Sequence, residues 1–264
     1  MSNIICNVIT TGYPSEELTI YAANHRSLMD LPAINDVIND ENFGMVVSSS
    51  LAWKPDSDRL SFFNNAKIKM LPLEVRFKPL TAFCLDQIST TVQNGHSIAI
   101  FPEGAYARED TVHAAYTGII RILFDCCNHG IFPKLVPISL EYKQPDSLDY
   151  YGTEFQEPMK MRILPEISYM PFYEKYKAIQ NRQDLTREDK QACSKLVMSE
   201  LARYLMESIA NSTNYTYVDS RYLLVPKNSI YSPTGEIIAM PDAYSSIDTL
   251  KDGTADYYNG IFKK

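Results

Sequence analysis

The stretch LTIYAANHRSLMD (residues 18–30) carries the first clear evidence on the fold. Its first six residues form a largely apolar run, which is typical of a strand buried on both faces. The polar residues that follow are typical of a loop at the end of that strand. Because a strand holds the next loop in a fixed place, such a position is where proteins display reactive groups.

Six further segments have the composition of strands, and helical patterns lie between them. The predicted strands cover residues 4–9, 44–49, 68–73, 97–101, 134–142 and 159–164. Apolar residues recur at helical spacing in 80–92 and 113–127, and a long helix is predicted from Thr186, in a capping sequence, through Ile209. Strands that alternate with helices predict an α/β fold with a mixed, largely parallel sheet covered by helices.

The composition of the chain changes after Asn211. The remaining residues are rich in Tyr, Ser, Asp and Gly, and a hairpin turn is predicted at 232–235. We therefore expect one domain over residues 1–211 and a C-terminal appendage of extended and β structure over residues 212–264.

Composition also limits the classes of function. The chain has 264 residues, of which 45% are hydrophobic, and a net charge of −7. An acidic chain lacks the basic face of a nucleic-acid-binding protein, so no nucleic-acid partner is expected. The sequence shows no signal peptide and no apolar run of about 20 residues. We expect a cytoplasmic protein with at most peripheral membrane contact.

The five cysteines are odd in number and lie in apolar surroundings. This pattern predicts reduced thiols in the core of a cytoplasmic protein. Cys126, Cys127 and His129 form a small cluster, but no second pair of ligands lies at the spacing that a zinc site needs. We expect no metal and no cofactor.

His25 and Asp30 lie five residues apart, just after the strand predicted over residues 18–23. None of the other three histidines has an aspartate at this spacing. One interpretation is a histidine that acts as a base, with a carboxylate that orients its ring. The alternative is a loop histidine beside an aspartate that caps a helix beginning near Leu28.

A second polar motif, FPEGAYAR (residues 101–108), begins where the strand of residues 97–101 ends. The Pro-Glu-Gly sequence would hold the Glu103 carboxylate on a rigid turn, and Gly104 would let backbone approach a ligand closely. If the sheet brings the two strand ends together, Glu103 shares one pocket with His25 and Asp30.

Together the two motifs resemble those of the glycerolipid and lysophospholipid acyltransferases, which include 1-acylglycerol-3-phosphate acyltransferases. NHRSLMD matches the NHxxxxD box of that family and FPEGAYAR its FPEG box, in the same order. VPISLEY (136–142) lies where the family carries a Val-Pro strand, and Gly118 matches a glycine of the helix before it. The resemblance covers approximately residues 1–210 and implies a glycerol-3-phosphate acyltransferase-like fold.

The resemblance implies that His25 takes a proton from an acceptor hydroxyl as it attacks a thioester, while Asp30 holds the ring. No serine or cysteine nucleophile is needed, because the thioester is already activated. The implied donor is acyl-CoA or acyl carrier protein. The expected substrate-binding residues are Glu103, Gly104, Tyr106, Arg108 and Arg76. A structural role for Glu103, bonding nearby backbone amides, is the alternative.

The chain departs from the family pattern in the FPEG box. Relatives usually continue FPEGTRSR, in which the threonine and the first arginine are associated with phosphate binding; here Ala105 and Tyr106 replace them and only Arg108 remains. Loss of a guanidinium is not conservative for a phosphate ligand. Relatives also carry a Gly-led apolar strand that ends in arginine, which KIKMLPLEVRF (67–77) matches poorly; Arg76 lies about one residue from that arginine position. These differences favour a neutral or aromatic acceptor.

The leading prediction is an acyltransferase of the lysophospholipid or glycerolipid type, or one that acylates the hydroxyl or amine of a related small metabolite. One alternative is a non-catalytic homologue that binds acyl carrier protein or lipid, which the altered FPEG box favours and the intact His25–Asp30 pair opposes. Another is a thioesterase, although the chain lacks a Gly-x-Ser-x-Gly elbow. Arg26 is expected at the surface or behind the catalytic residues. The membrane-embedded N-terminal helices of many relatives are not expected, because the first predicted strand begins almost at Met1.

Overall fold

The computed structural model describes residues 8–49, 68–75, 78–107, 110–143 and 158–219, and the backbone of two short strands beyond them. The described helices are α1 Asp30–Ile38, α2 Lys78–Gln93, α3 Gly118–Asn128, α4 Met170–Asn181 and α5 Arg187–Asn211. The described strands are β1 Val8–Thr11, β2 Thr19–Ala23, β3 Phe43–Ser48, β4 Met70–Leu73, β5 Ser97–Ile100, β6 Thr111–His113, β7 Lys134–Glu141, β8 Met159–Ile163, β9 Thr216–Val218, β10 Ser229–Tyr231 and β11 Ile237–Ala239.

Seven strands form one sheet in the order β1-β8-β7-β2-β5-β3-β4. Strands β7 and β8 are antiparallel, and the other neighbouring pairs are parallel. The predicted α/β fold with a mixed, largely parallel sheet is confirmed.

The central strands are buried because helices cover both faces of the sheet. Every residue of β2 and β5 is buried. Alternate residues of β2 point to opposite faces. Ile20 and Ala22 pack into the hydrophobic cluster that includes α2, α3 and α5, and Tyr21 and Ala23 pack into the one that includes α1. The two clusters hold the sheet as the middle layer of the domain.

Most predicted elements are present. The strands predicted at 18–23, 44–49, 68–73, 97–101, 134–142 and 159–164 have ends within two residues of the observed ones. The long C-terminal helix also begins as predicted, because the Thr186 hydroxyl accepts a hydrogen bond from the backbone N–H of Asp189 at 3.1 Å. The strand predicted at 4–9 is seen from Val8 onward, and residues 1–7 are outside the described part.

Two regions differ from the sequence prediction. The helix predicted over 113–127 begins only at Gly118, because Thr111–His113 form the short strand β6. Helix α4 was not predicted. Phe172, Tyr173, Tyr176 and Ile179 pack against the core at helical spacing, but only Tyr173 is buried.

The first residues of the predicted appendage pack against the domain. Strand β9 pairs in parallel with β6, so that Thr216 lies opposite Thr111. Strands β10 and β11 form the predicted antiparallel pair, and the turn predicted at 232–235 lies outside the described residues. Among the helices of the described part, none combines the length and the apolar character that crossing a bilayer requires.

The order of the strands brings two loops to one edge of the sheet. Strands β2 and β5 are parallel neighbours, with Ala22 opposite Ile100. The residues that follow them, NHRSLMD and FPEG, therefore leave the sheet on the same side. This arrangement places both polar motifs beside each other, as the sequence predicts.

Candidate active site

Asn24 fixes the point at which the chain leaves β2. Its side-chain amide donates a hydrogen bond to the carbonyl oxygen of Leu140 at 2.9 Å, and its side-chain oxygen accepts one from the Leu140 N–H at 2.7 Å. A neighbouring strand would make the same pair of bonds. The side chain thus continues the sheet for one residue while the backbone turns away, and His25 follows from a fixed position.

His25 and Asp30 form a hydrogen-bonded pair. His25 Nδ1 lies 2.8 Å from Asp30 Oδ2. The aspartate is the first residue of α1 and is fully buried, whereas the His25 side chain retains 12% exposure. A carboxylate accepts a hydrogen bond from Nδ1–H, which leaves Nε2 as the nitrogen that can accept a proton from a ligand.

Asp30 is held by three further donors. Its Oδ2 accepts hydrogen bonds from the backbone N–H groups of Arg26 (2.7 Å) and Ser27 (3.0 Å), and its Oδ1 accepts one from the Tyr142 hydroxyl. These bonds replace the water that a buried carboxylate loses. The alternative of an aspartate that only caps the helix is wrong, because its carboxylate reaches back to the loop before α1.

Two aromatic side chains pack on the His25 ring. The ring of Phe101 is stacked on it, with centroids 3.8 Å apart and planes 15° apart. The ring of Tyr106 lies 4.3 Å away and is tilted by 54°. Both residues belong to the FPEG motif, so the second motif sets the orientation of the imidazole in the first.

Glu103 and Ala107 hold the backbone of His25. Glu103 Oε1 accepts a hydrogen bond from the His25 N–H at 2.9 Å, and Glu103 Oε2 accepts one from the His113 N–H at 2.8 Å. The N–H of Ala107 donates to the His25 carbonyl oxygen at 2.8 Å. Glu103 is fully buried. This geometry favours the structural interpretation of Glu103, while direct contact with a substrate stays a prediction.

Burial raises the pKa of Glu103 to about 8, because the surrounding protein disfavours the charged form. The two backbone donors, from His113 and His25, oppose this rise. The carboxyl group therefore titrates well above the range of an exposed glutamate.

Comparison with known proteins identifies the family of this chain. The family model described as Acyltransferase matches residues 7–141, which include both motifs and the residues described above that contact the ring or backbone of His25. The chain belongs to the acyltransferase family. Family membership supports an enzyme that transfers acyl groups.

The chain is also similar to a solved acyltransferase structure. The crystal structure of the 1-acyl-sn-glycerophosphate (LPA) acyltransferase PlsC from Thermotoga maritima is similar to this acyltransferase, with 15% sequence identity and a TM-score of 0.46. The match covers 78% of this chain and 70% of that chain. No curated protein sequence matches this one.

The structure places three of the predicted substrate-binding residues next to the pair. Glu103, Gly104 and Tyr106 form the turn that follows β5 of this acyltransferase domain. Gly104 is exposed and has a φ of +73°, a backbone conformation that favours glycine. Arg76 and Arg108 lie outside the described residues, so their predicted contacts with an acceptor stay predictions.

Of the residues behind the pair, sequence reasoning anticipated Arg26, as one of two possible positions, and missed Tyr142. Arg26 is not at the surface, since it is 2% exposed and its guanidinium lies over the ring of Tyr215, 4.3 Å from the centroid. Tyr142 is buried, and burial with the nearby Asp30 charge raises its pKa well above the ordinary value. The one available signal was the position of Tyr142 as the last residue of the strand predicted over 134–142.

Three of the four described thiols lie in the core, where they are poorly suited to act as nucleophiles. Cys84, Cys126 and Cys127 are free and buried, as predicted for core thiols. Burial raises the pKa of Cys84 to about 12 and those of Cys126 and Cys127 to about 11. Because the thiolate is the reactive form, these groups are inert near neutral pH.

Proposed function

We propose that this protein transfers a fatty acyl chain from acyl-CoA or acyl carrier protein to a hydroxyl group, or to an amine, of a lipid-like or small acceptor. The observation that carries the proposal is the contact between His25 Nδ1 and Asp30 Oδ2 at 2.8 Å. It leaves Nε2 of a partly exposed ring to act as a base.

In the proposed reaction, His25 Nε2 takes the proton of the acceptor hydroxyl while the acceptor oxygen attacks the thioester carbonyl carbon. Asp30 stabilises the imidazolium that forms. The new carbon–oxygen bond remains, the carbon–sulfur bond breaks, and the departing thiolate takes the proton from His25. The products are an ester and a free thiol. The reaction needs no covalent intermediate and no metal or other cofactor.

We propose an acceptor without a phosphate group. Tyr106 occupies the position at which relatives carry an arginine, and its ring lies 4.3 Å from that of His25. A hydroxyl and an aromatic face offer no charge to a phosphate dianion, whereas they suit a neutral alcohol, an amine or an aromatic group.

The proposed setting follows from the composition of the chain. A net charge of −7 and the four free thiols of the described residues are consistent with a location in the cytoplasm, with at most peripheral contact with a membrane. The proposed role is a step in the synthesis of lipids or of an acylated small metabolite.

Release of free thiol tests the proposal. The protein is incubated with palmitoyl-CoA, with and without a monoacylglycerol or a long-chain amine. Thiol that appears only with an acceptor supports the transferase; thiol that appears without any acceptor identifies a thioesterase. Absence of thiol in every mixture, also with acyl carrier protein as donor, identifies a non-catalytic binding protein. His129→Ala is the matched control for His25→Ala, because His129 is exposed and lies outside the site.

A further inference from the structure

A short segment after α5 contacts the proposed active site, although it lies outside the residues that the family model matches. This segment, residues 214–218, is termed here the C-terminal strap. We propose that Tyr215 of the strap is a positioning residue for acyl transfer, and that it acts through Tyr142 on Asp30. The inference rests on the proposed function of His25 as the base.

The first link joins Tyr142 to Asp30. The Tyr142 hydroxyl donates a hydrogen bond to Asp30 Oδ1 and lies 2.8 Å from Ser27 Oγ, which itself accepts the N–H of Met29 at 3.2 Å. Since the Tyr142 proton goes to Asp30, Ser27 donates to Tyr142. The result is a continuous chain of hydrogen bonds that ends on the carboxylate facing His25.

The second link joins Tyr215 to Tyr142. The Tyr215 hydroxyl accepts the N–H of Tyr142 at 2.9 Å and donates to the Tyr142 carbonyl oxygen at 3.1 Å. Tyr142 is the first residue after β7, where the regular bonds of the sheet end. A single hydroxyl therefore fixes the backbone from which the Tyr142 side chain starts towards Asp30.

A third contact reaches the same carboxylate through Arg26. The Arg26 guanidinium lies 4.3 Å from the centre of the Tyr215 ring, a cation–π distance, and its Nη2 donates to the Tyr142 carbonyl oxygen at 3.4 Å. The backbone N–H of Arg26 donates to Asp30. Tyr215 thus contacts two of the residues that hold the Asp30 carboxylate.

The strap also supports the opposite side of the pair. Strand β9 pairs with β6, and the N–H of Ala114 donates to the Val218 carbonyl oxygen at 3.0 Å. His113 of β6 donates its backbone N–H to Glu103, which holds the backbone of His25. The strap therefore supports the carboxylate on one side and the histidine on the other.

The mechanism needs Asp30 Oδ2 to face His25 Nδ1 at hydrogen-bond distance. The bond from Tyr142 to Oδ1 restricts rotation of the carboxylate, and Tyr215 restricts movement of Tyr142. Small displacements of a catalytic group lower the rate steeply, because the reacting atoms must meet within a narrow range. The strap is expected to affect kcat rather than KM, since residues 214–218 do not contact Nε2.

The test compares two conservative variants with a matched control. Tyr142→Phe removes the bond to Asp30, and kcat with palmitoyl-CoA and a monoacylglycerol is expected to fall about tenfold to a hundredfold. Tyr215→Phe keeps the ring over Arg26 and is expected to lower kcat about threefold to tenfold, with KM unchanged. Tyr217→Phe, which removes a hydroxyl bonded to the exposed Asp219 in the same strap, is expected to leave kcat unchanged.

Two further readouts separate positioning from a general effect on folding. The proton resonance of His25 Nδ1–H, observed by NMR without substrate, should shift in both Tyr142→Phe and Tyr215→Phe but not in Tyr217→Phe. In the Tyr142→Phe background, Tyr215→Phe should produce no further loss of kcat, because the two residues act in series.

Wild-type kcat and an unshifted resonance in Tyr215→Phe would overturn the inference, as would independent, additive losses in the double variant. His25→Ala distinguishes this failure from failure of the proposed function. If His25→Ala is inactive while Tyr215→Phe is normal, only the role of the strap is wrong. If His25→Ala retains normal turnover, the proposed function itself is wrong.

Discussion

Glu103 holds His25 by its backbone, with Glu103 Oε1 accepting the His25 N–H at 2.9 Å. Asp30 holds the same residue by its ring, at Nδ1. The two carboxylates therefore have separate tasks: one places the residue and the other orients the imidazole. Each task predicts a different response to substitution and to pH.

Glu103→Gln is expected to change how stability depends on pH. Burial raises the pKa of Glu103 from an ordinary value of 4.5 to about 8. Between these values the folded protein binds one more proton than the unfolded chain, so this group makes the unfolding free energy fall as pH rises from 4.5 to 8. Glutamine has no such proton. The variant should lose less stability than the natural protein between pH 5 and pH 8.

Urea denaturation at pH 5, 6, 7 and 8 measures the unfolding free energies of the natural protein and the variant. Their difference should change by at most about 1.4 kcal/mol per pH unit. The control is Glu16→Gln, because Glu16 is exposed. Equal pH dependence in Glu103→Gln and in the natural protein would show that Glu103 stays ionised when folded.

His25→Ala is expected to lower kcat by about 10²–10⁴-fold, the usual range for loss of a general base. The fold should persist, because Glu103 and Ala107 bond the backbone of residue 25 and not its ring. Steady-state release of thiol measures the rate, and circular dichroism verifies folding. Near-normal turnover would exclude His25 as the base.

Asp30→Asn is expected to lower kcat by about 10²-fold or more, because a neutral amide cannot stabilise the imidazolium. The side-chain nitrogen of the new asparagine is itself a hydrogen-bond donor, and it would face another donor, either the Tyr142 hydroxyl or the loop amides. We therefore expect some loss of stability. Activity should therefore be measured well below the melting temperature of the variant. A folded Asp30→Asn protein with normal kcat would limit Asp30 to a structural role.

The acceptor preference follows from Ala105 and Tyr106. Losing one charged hydrogen bond to a phosphate costs about 1.5–3 kcal/mol, or roughly tenfold or more in affinity. Lysophosphatidic acid is thus expected to be a poorer acceptor than the corresponding monoacylglycerol. A competition assay with both acceptors measures the ratio. The double variant Ala105→Thr/Tyr106→Arg should shift it towards lysophosphatidic acid, whereas a natural preference for the phosphorylated acceptor would contradict the prediction.

Asn24→Ala is expected to destabilise the fold by about 2–4 kcal/mol, because it leaves the buried N–H and carbonyl of Leu140 without their partners. Asn42→Ala is the control, since Asn42 is exposed. Its effect should remain within about 0.5 kcal/mol. Urea denaturation compares the two. A small effect of Asn24→Ala would mean that water replaces the side chain.

The sheet was predictable because its central strands are buried on both faces and therefore read as apolar runs. The pairing of His25 with Asp30 was predictable for a related reason: both residues lie in one loop whose position the end of β2 determines. Glu103 was placed correctly at the neighbouring strand end, but the sequence did not choose between contact with a ligand and contact with backbone amides.

The residues behind the pair were not predictable in the same way. Tyr142 bonds Asp30 across a separation of 112 residues, and Tyr215 bonds Tyr142 across 73. No local pattern marks such contacts, because tyrosine is common in this chain and its hydroxyl finds a partner only in the folded protein. Helix α4 was missed although four of its side chains contact the core at helical spacing, since three of them are only partly buried.

The hydrogen bond between Tyr142 and Asp30 also determines when, during folding, the proposed active site is completed. A chain emerging from the ribosome contains both polar motifs before Tyr142 and, much later, Tyr215 have been synthesised. The bonds from Arg26 and Ser27 to Asp30 are local and can form early. The Tyr142 donor arrives only when β7 has joined the sheet, and it is fixed only when the strap has paired with β6. Contacts between distant parts of a chain form slowly because the intervening segment must first be ordered. Full activity should therefore be among the last properties that the folding protein acquires.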